Sequence, residues 1–402
     1  MKKIFILLLV LSLILCSCVS REHYDNENNM NVGQKNKIIA TWITYQEINT
    51  LVEEASNENE FRYNVREKID ILKQYKINTV FLHVRAFDDC FYKSTIFPVS
   101  EYCDSEKGVL KFDVLQVFLD ICSEFNIKLH AWLNPYRIRN NSDIGKINED
   151  SFAFKLVNND DTEKIIVTNN GIYYNPAYYD IQSYILRGVK EILENYSVDG
   201  IHIDDYFYPT TSDEIDKNIF TDYQNNGGVL NLDEFRRQNV NSLITSIYSL
   251  IKSYNEDICF SVSPNGDISK NVNVLYADVK LWMNSDGYAD YVIPQLYFGY
   301  FNENMSFKTL LEEWIDLCND KSKLIIGLGI YKSGKKDIYA KSGESEWIDN
   351  SNIIARQIKD SFDNSVTGIS IFSFSYLISY NDVEVLNNEK RCVVEQLEIY
   401  DS

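Results

Sequence analysis

Two adjacent carboxylates, Asp204 and Asp205, stand inside the run VDGIHIDDYFYP that extends from Val198 to Pro209. Paired acids are what cleavage of a glycosidic bond requires: one protonates the leaving oxygen, and a second anionic group stabilises or attacks the developing oxocarbenium carbon. Three aromatic residues follow at once, Tyr206, Phe207 and Tyr208, of the kind that stacks on sugar rings. An Asp pair after a strand also serves often as a helix cap or a turn, so the surroundings must decide. Ile201 and Ile203 alternate with His202 and Asp204, the period of a strand with an aliphatic face and a functional face. Asp204 ends that strand facing inward, with His202 two residues back to orient it or a substrate hydroxyl. Asp205 lies at the junction of strand and loop, from which its side chain can turn into a cleft as the second carboxylate.

Asp89 and Glu101, in an earlier loop, compete for the acid/base role. An adjacent acid pair together with Tyr297 also suits a substrate-assisted route, in which the acetamido oxygen of an N-acetylated glycan attacks. Trp42, Trp132, Tyr136, Tyr206, Tyr208 and Tyr297 are candidates for contact with sugar, although an inward aromatic also fills a core. Arg85, Asn134, Arg137 and Gln295 are polar residues at expected strand ends, where they need partners or solvent.

The elements that must hold these residues alternate, short apolar strands with longer amphipathic runs, which is the pattern of a parallel sheet with crossover helices. Eight strands are expected: 38–44, 78–85, 127–134, the run beginning at Val198, 257–263, 290–294, 323–328 and 366–374. Helices are expected over 64–75, 112–125, 181–196, 232–253, 307–317, 353–362 and 383–397. In the second strand Val80, Leu82 and Val84 face helices while Phe81, His83 and Arg85 face inward. In the third, Leu129, Ala131 and Leu133 face helices while His130, Trp132 and Asn134 face inward. Long loops follow strands, 86–111, 135–175 and 205–231, and a site at the C-terminal ends of barrel strands is built from such loops. The expectation is a single α/β domain, a (β/α)₈ TIM barrel over residues 37–398.

A formal net charge of -20 excludes the basic footprint of a nucleic-acid binder and electrostatic docking to anionic lipid. Lys2 and Lys3 precede an apolar run, Ile4 to Leu15, that is too short to span a bilayer and reads as an export signal. It closes on Leu15, Cys16, Ser17 and Cys18, which resembles a bacterial lipobox. Residues 1–17 are therefore expected to be a lipoprotein signal peptide, with Cys18 lipidated and residues 18–36 a disordered tether, so that the lipid is the only contact with a membrane. No two of the remaining cysteines form a Cys-x-x-Cys pair. Cys90 and Cys103 share one expected loop and are candidates for a disulfide in an exported protein.

Several stretches carry a family resemblance: NTVFLHVR (78–85), FP (97–98) with SEY (100–102), HAWLNPYR (130–137), YNP (174–176), DGIHIDDYFYP (199–209), SVSP (261–264) and PQLY (294–297). In these stretches, in this order, the chain resembles the glycosyl-hydrolase-like family 10 proteins, and the resemblance covers nearly all of the chain after the tether. It implies a barrel glycosidase related to hydrolases of peptide-free peptidoglycan glycan, with a polysaccharide as partner and no cofactor. The chain departs from the family at Ala86, where proline is usual, at Asp88-Asp89-Cys90, where Gly-Asp-Ala is usual, and at His83, commonly Gln.

Two other functions fit parts of the pattern. His83, His130 and His202, on three successive strands beside Asp204, suggest a metal-dependent polysaccharide hydrolase or deacetylase. His83 and His130 lie deeper than their strand ends, however, whereas a catalytic metal must open to the cleft, so no metal is expected. A non-catalytic glycan-binding lipoprotein on the same barrel is the other, since fold alone does not fix function. The sequence leaves the oligomeric state open.

Overall fold

The computed structural model describes residues 37–400 apart from 107, 380 and 381. The expected signal peptide, Cys18 and the tether lie outside the described residues. Eight parallel strands form the barrel: β1 (Ile38–Ile43), β2 (Thr79–Arg85), β3 (Lys128–Leu133), β4 (Gly200–Ile203), β5 (Cys259–Val262), β6 (Tyr291–Val292), β7 (Ile325–Leu328) and β8 (Gly368–Ile371). Their spatial order is β6-β5-β4-β3-β2-β1-β8-β7. The seam between β6 and β7 is closed by isolated parallel bridges, Val292 to Leu324 and Gln295 to Gly327, rather than by a continuous ladder. There the N–H of Leu296 donates to Gly327 O at 2.9 Å and the N–H of Gly327 to Pro294 O at 2.9 Å. A Cβ on Gly327 would lie 2.8 Å from Pro294 O, so the close approach of the two backbones needs glycine.

The alternation read from β2 and β3 separates two cores. Val80, Leu82, Val84, Leu129, Ala131 and Leu133 belong to the large layer between strands and helices. Phe81 and Trp132 belong to a second cluster inside the barrel, with Ala40, Trp42, Ile293 and Ile325. Period-two side chains on a strand covered on both faces must divide in this way. The helix Phe307–Leu317 has the expected bounds, and those at Val114–Glu124, Tyr179–Asn195, Leu232–Tyr254, Ile353–Asp363 and Glu384–Glu398 differ from expectation by one or two residues. The helix expected at 64–75 instead begins at Glu58, where Asn57 caps it, and runs to Ile71 before a 3₁₀ turn over Leu72–Tyr75.

Several helices were not expected, among them Tyr45–Glu53, Phe152–Asn158, Lys217–Asn225 and Ile268–Asn273. Tyr45–Glu53 follows β1 directly and starts with a capping box: Thr44 Oγ accepts from the Glu47 N–H at 3.4 Å, and Glu47 Oε2 from the Thr44 N–H at 2.7 Å. The other Glu47 oxygen accepts from Ser373 Oγ at 2.6 Å and from the Ser375 N–H at 2.7 Å, which ties the first βα junction to the last. A second carboxylate works over distance: Glu389, from the final helix, accepts from the N–H groups of Ile353, Ile354 and Ala355 at 2.8, 2.9 and 3.2 Å. These three are among the N–H groups that the helix Ile353–Asp363 cannot satisfy from within.

The three long loops all carry structure of their own. The loop after β3 forms a three-stranded antiparallel sheet from Arg137–Arg139, Ile165–Thr168 and Gly171–Tyr174. The loop after β4 is pinned by an ion pair with both side chains fully buried, in which Arg236 donates to Asp216 at 2.7 and 2.6 Å. Arg236 also donates to Tyr276 Oη and to the carbonyl oxygens of Thr211 and Ser212. Cys90 and Cys103, the candidates for a disulfide, are thiols in the structure: Cys90 Sγ lies 3.3 Å from Tyr92 O and Cys103 Sγ 3.7 Å from Cys90 O. Among the described residues no helix is long and apolar enough to cross a membrane.

Candidate active site

A cleft of about 260 Å³ opens at the C-terminal ends of the strands. Asp204 and Asp205 both line it, with Trp42, His83, Trp132, Asn134, Arg137, Tyr206, Gln295 and Tyr297. Residues from β1, β2 and β3, and from the segments just beyond β3, β4 and β6, thus meet at one rim, because parallel strands in a barrel all end on the same side.

The two aspartates sit in contrasting surroundings. Asp204 is buried, and its Oδ2 accepts from Trp132 Nε1 at 3.2 Å while Oδ1 accepts from the Tyr206 N–H at 3.4 Å. Burial, and then the charge of Asp205, hold its carboxyl well above the usual carboxylate range, and Arg137 and the two N–H donors offset this only in part. Asp205 is half-buried and accepts on both oxygens, from Asn265 Nδ2 at 3.2 Å and from Gln295 Nε2 at 3.3 Å. Gln295 is itself held by donating to Ser263 O at 3.0 Å. One acid is thereby kept towards its neutral form and the other is fixed as an acceptor, the division of roles that acid-assisted bond cleavage uses.

The other residues expected at the site divide between the cleft and its surroundings. Arg137 lies over the Tyr206 ring at 4.5 Å and over Phe87 at 4.8 Å, which places its charge at the cleft wall. Tyr297 meets Trp42 edge to face at 6.4 Å. Arg85 does not reach the cleft, which corrects the expectation from strand phase. The register of β2 slips between His83 and Arg85, and the bulge breaks the period-two alternation at its last step. Arg85 is fully buried instead, donating to the carbonyl oxygens of Asn134 and Pro135 at 2.8 and 3.1 Å, with Asp88 at 3.6 Å and the Phe97 ring at 4.6 Å. Tyr136 is likewise fully buried and is not among the residues that line the cleft, and Tyr208 is buried with Asn239 Nδ2 donating to its hydroxyl at 3.2 Å.

His202 is also displaced from its expected place beside substrate. It lies inside the barrel, stacked on Phe81 at 4.2 Å, and neither bonds Asp204 nor lines the cleft itself. Its Nε2 accepts from Trp42 Nε1 at 3.0 Å, so the neutral ring carries its proton on Nδ1, which donates to Ser261 Oγ at 2.8 Å. Burial, then the neighbouring His130 and His83, hold this imidazole well below its ordinary range. Its effect on the cleft is indirect, through the indole of Trp42.

Asp89 and Glu101, the competing acids, line a different and much smaller cavity of about 20 Å³ together with Asp88 and Arg139. Glu101 is exposed and pairs with Arg139 at 3.3 Å. Asp88 is built into the fold, accepting from the hydroxyls of Tyr174 and Tyr184 at 2.5 and 2.9 Å. Burial, with the charges of Asp88 and Glu101 and against the Ser100 hydroxyl, pushes the Asp89 carboxyl up to about 7. Between the ordinary Asp value and 7 the unfolded chain is ionised there while the folded chain keeps its proton, so this group's contribution to stability falls as pH rises across that window. The stability of the parent relative to an Asp89→Asn variant is expected to drop by up to about 1.4 kcal/mol per pH unit from about pH 4 to 7 and then level off. Urea titrations at several pH values measure it, and a difference independent of pH would show that the fold does not hold this proton.

The three histidines do not assemble a metal site. His202 is committed to Trp42 and Ser261, His130 meets Phe81 edge-on at 5.3 Å deep in the barrel, and His83 stacks on Trp132 at 3.7 Å. A Cβ on Gly200 would fall 2.5 Å from the His130 ring, so the glycine makes room for this imidazole as a packing element. Among the described residues no three His, Cys, Asp or Glu side chains are placed to share one ion.

Thr44, Tyr45, Gln46, Ser263 and Phe372 line the cleft as well, and Asn265 holds Asp205. The sequence signal for the first three was the Thr44-x-x-Glu47 capping box, which sets the start of a helix directly after β1.

Comparison with known proteins agrees with this geometry. The family described as glycosyl hydrolase-like 10 matches residues 37–349. The glycosyl hydrolase YngK of Bacillus subtilis (strain 168) is 29% identical over 284 residues, which is 66% of this chain and 54% of that protein, so the match spans about half the length of that relative. The glycosyl hydrolase DigH of Escherichia coli (strain K12) is 28% identical over 338 residues, 77% of this chain and 75% of that protein. The solved glycoside hydrolase domain of PgaB (BpsB) from Bordetella bronchiseptica aligns with a TM-score of 0.56 at 10% identity, covering 90% of this chain and 98% of that one, a likeness of fold.

Proposed function

Because the chain belongs to the glycosyl hydrolase-like 10 family, we propose that it is a glycoside hydrolase cleaving β-glycosidic bonds of a polysaccharide, with cell-wall glycan freed of its peptides as substrate. The observation that carries this reading is the contrast at one cleft between Asp204, buried and favoured in its neutral form, and Asp205, held as an acceptor by two amide N–H groups. In this scheme the Asp204 proton passes to the glycosidic oxygen as the C–O bond breaks. Asp205 faces the positive charge that develops at the anomeric carbon, and water supplies the hydroxyl that completes hydrolysis while its remaining proton restores the neutral Asp204 carboxyl. Trp42, Trp132, Tyr206 and Tyr297 offer aromatic faces or edges to the sugar, and Arg137, Asn134 and Gln295 offer polar contacts.

Peptide-free glycan incubated with the protein is expected to gain reducing ends and lose chain length. Glycan that is bound but not shortened would favour a binding protein on a barrel without turnover. The leading residues extend the proposal to an exported lipoprotein with Cys18 as the lipidated residue, on the strength of the lipobox-like Leu15-Cys16-Ser17-Cys18. Cys18→Ala is expected to move the protein from the membrane to the soluble fraction, and unchanged fractionation would remove the anchor from the proposal.

A further inference from the structure

The cleft wall made by Tyr297 and Phe372 continues outward onto rings that do not belong to the cleft. Tyr297 and Phe372 lie 5.5 Å apart, and each meets Tyr331 at 5.8 Å, nearly at right angles. Tyr331 in turn lies 6.4 Å from Tyr376, tilted by 57°. Tyr331 stands on the 3₁₀ turn Ile330–Lys332 just after β7, and Tyr376 on the short helix Phe374–Ile378 just after β8. β7 and β8 are neighbours in the barrel, so both rings reach the rim that carries the aspartates. Neither ring lines the cleft, and each keeps part of its surface in solvent.

This row of rings is held in place. A Cβ on Gly329 would fall 3.0 Å from both Tyr297 Cβ and the Tyr331 ring, so its absence lets the two side chains close up. Lys332 donates to Asp337 at 2.6 Å, with the carboxylate almost fully buried, and this pins the loop behind Tyr331. Lys336 pairs with Glu344 at 2.9 Å. Lys335, between them, makes no ion pair among the described residues and donates instead to Tyr376 Oη at 3.0 Å, its ammonium 4.8 Å from that ring. An ammonium has three N–H groups, so two are left for a ligand. A sugar ring has an apolar C–H face to set on an aromatic ring and hydroxyls at its edge for such a donor. The row also starts from two cleft residues, and a polymer cut between its ends must leave the cleft somewhere. Its steps of 5.8 and 6.4 Å are comparable with the length of one sugar unit. We propose that Tyr331, Tyr376 and Lys335 form an outer platform that carries the glycan chain beyond the cleft, so that long strands are gripped more tightly than short ones. The proposal rests on the glycosidase reading, and adds a second binding surface and a preference for chain length.

The test uses peptide-free glycan fractionated into disaccharides and octasaccharides, each titrated calorimetrically into the full chain carrying Asp204→Asn so that the probes stay whole. Longer strands also offer the cleft more registers, so the diagnostic quantity is how far their advantage falls when the platform is removed. Adding Tyr376→Ala is expected to cut the affinity ratio of octasaccharide to disaccharide by about tenfold, the worth of one good stacked contact. Lys335→Ala, at an exposed side chain whose loss should spare the fold, is expected to cut it by at least about threefold through the lost hydrogen bonding. A ratio that neither variant lowers overturns the platform and leaves the glycosidase reading intact. A change in sedimentation alone, as a contact between copies of this chain would give, overturns it in the same way. Binding of neither strand by the Asp204→Asn chain counts against both.

Discussion

Asp204→Asn is expected to lower cleavage of peptide-free glycan by roughly 10²–10⁴-fold, the usual contribution of a positioned general acid, with the fold preserved. The asparagine oxygen still accepts from Trp132 Nε1, so the local hydrogen bonding survives while the transferable proton does not. The pH dependence gives a second readout. A general acid works only while protonated, and Asp204 is held well above the usual carboxylate range by burial and by Asp205. The parent rate should therefore persist through neutral pH and fall on the alkaline side as Asp204 ionises, and the residual rate of the variant should lack that limb. Stability follows the same linkage with the opposite benefit: a raised carboxyl costs the fold progressively as pH rises from the ordinary Asp value towards the raised one, so the variant should gain on the parent over that window. Reducing-end assays and denaturant titrations across pH measure both. Full turnover in Asp204→Asn would remove this residue from the chemistry.

Arg236→Ala is expected to destabilise the protein by about 3–5 kcal/mol, the cost of stranding a buried carboxylate. Asp216 would keep its place at zero exposure without the guanidinium that now donates to both its oxygens. Arg236 also binds Tyr276 and the carbonyls of Thr211 and Ser212, so its loss releases the loop that begins at Asp205. Glycan affinity should weaken in parallel with stability. Arg236→Lys should recover only part of the loss, because an ammonium cannot reproduce the two parallel hydrogen bonds of the guanidinium. Guanidinium-chloride titration distinguishes the three proteins, and equal midpoints would show that the pair contributes no net stability.

The eight strands, their inward and outward faces and the meeting of Asp204 with Asp205, Trp132, Asn134 and Gln295 at one rim were legible in the sequence. Period-two alternation and the succession of strand and helix are local properties, and local patterns fix which side chain faces which layer. Tertiary structure decided the matters that depend on neighbours distant in the chain. The slip in β2 that turns Arg85 away from the cleft arises where the strand pairs with β3. The withdrawal of His202 to hold Trp42 depends on β5 pairing beside β4 and on Trp42 of β1 reaching it across the barrel interior, and the seating of Asp205 between Asn265 and Gln295 depends on segments beyond β5 and β6. Glu389 capping a helix that starts some thirty-five residues earlier is the same kind of event. Hydrogen-bond partners and burial are set by atoms brought together only when the barrel closes, and a periodic pattern along the chain carries no record of them.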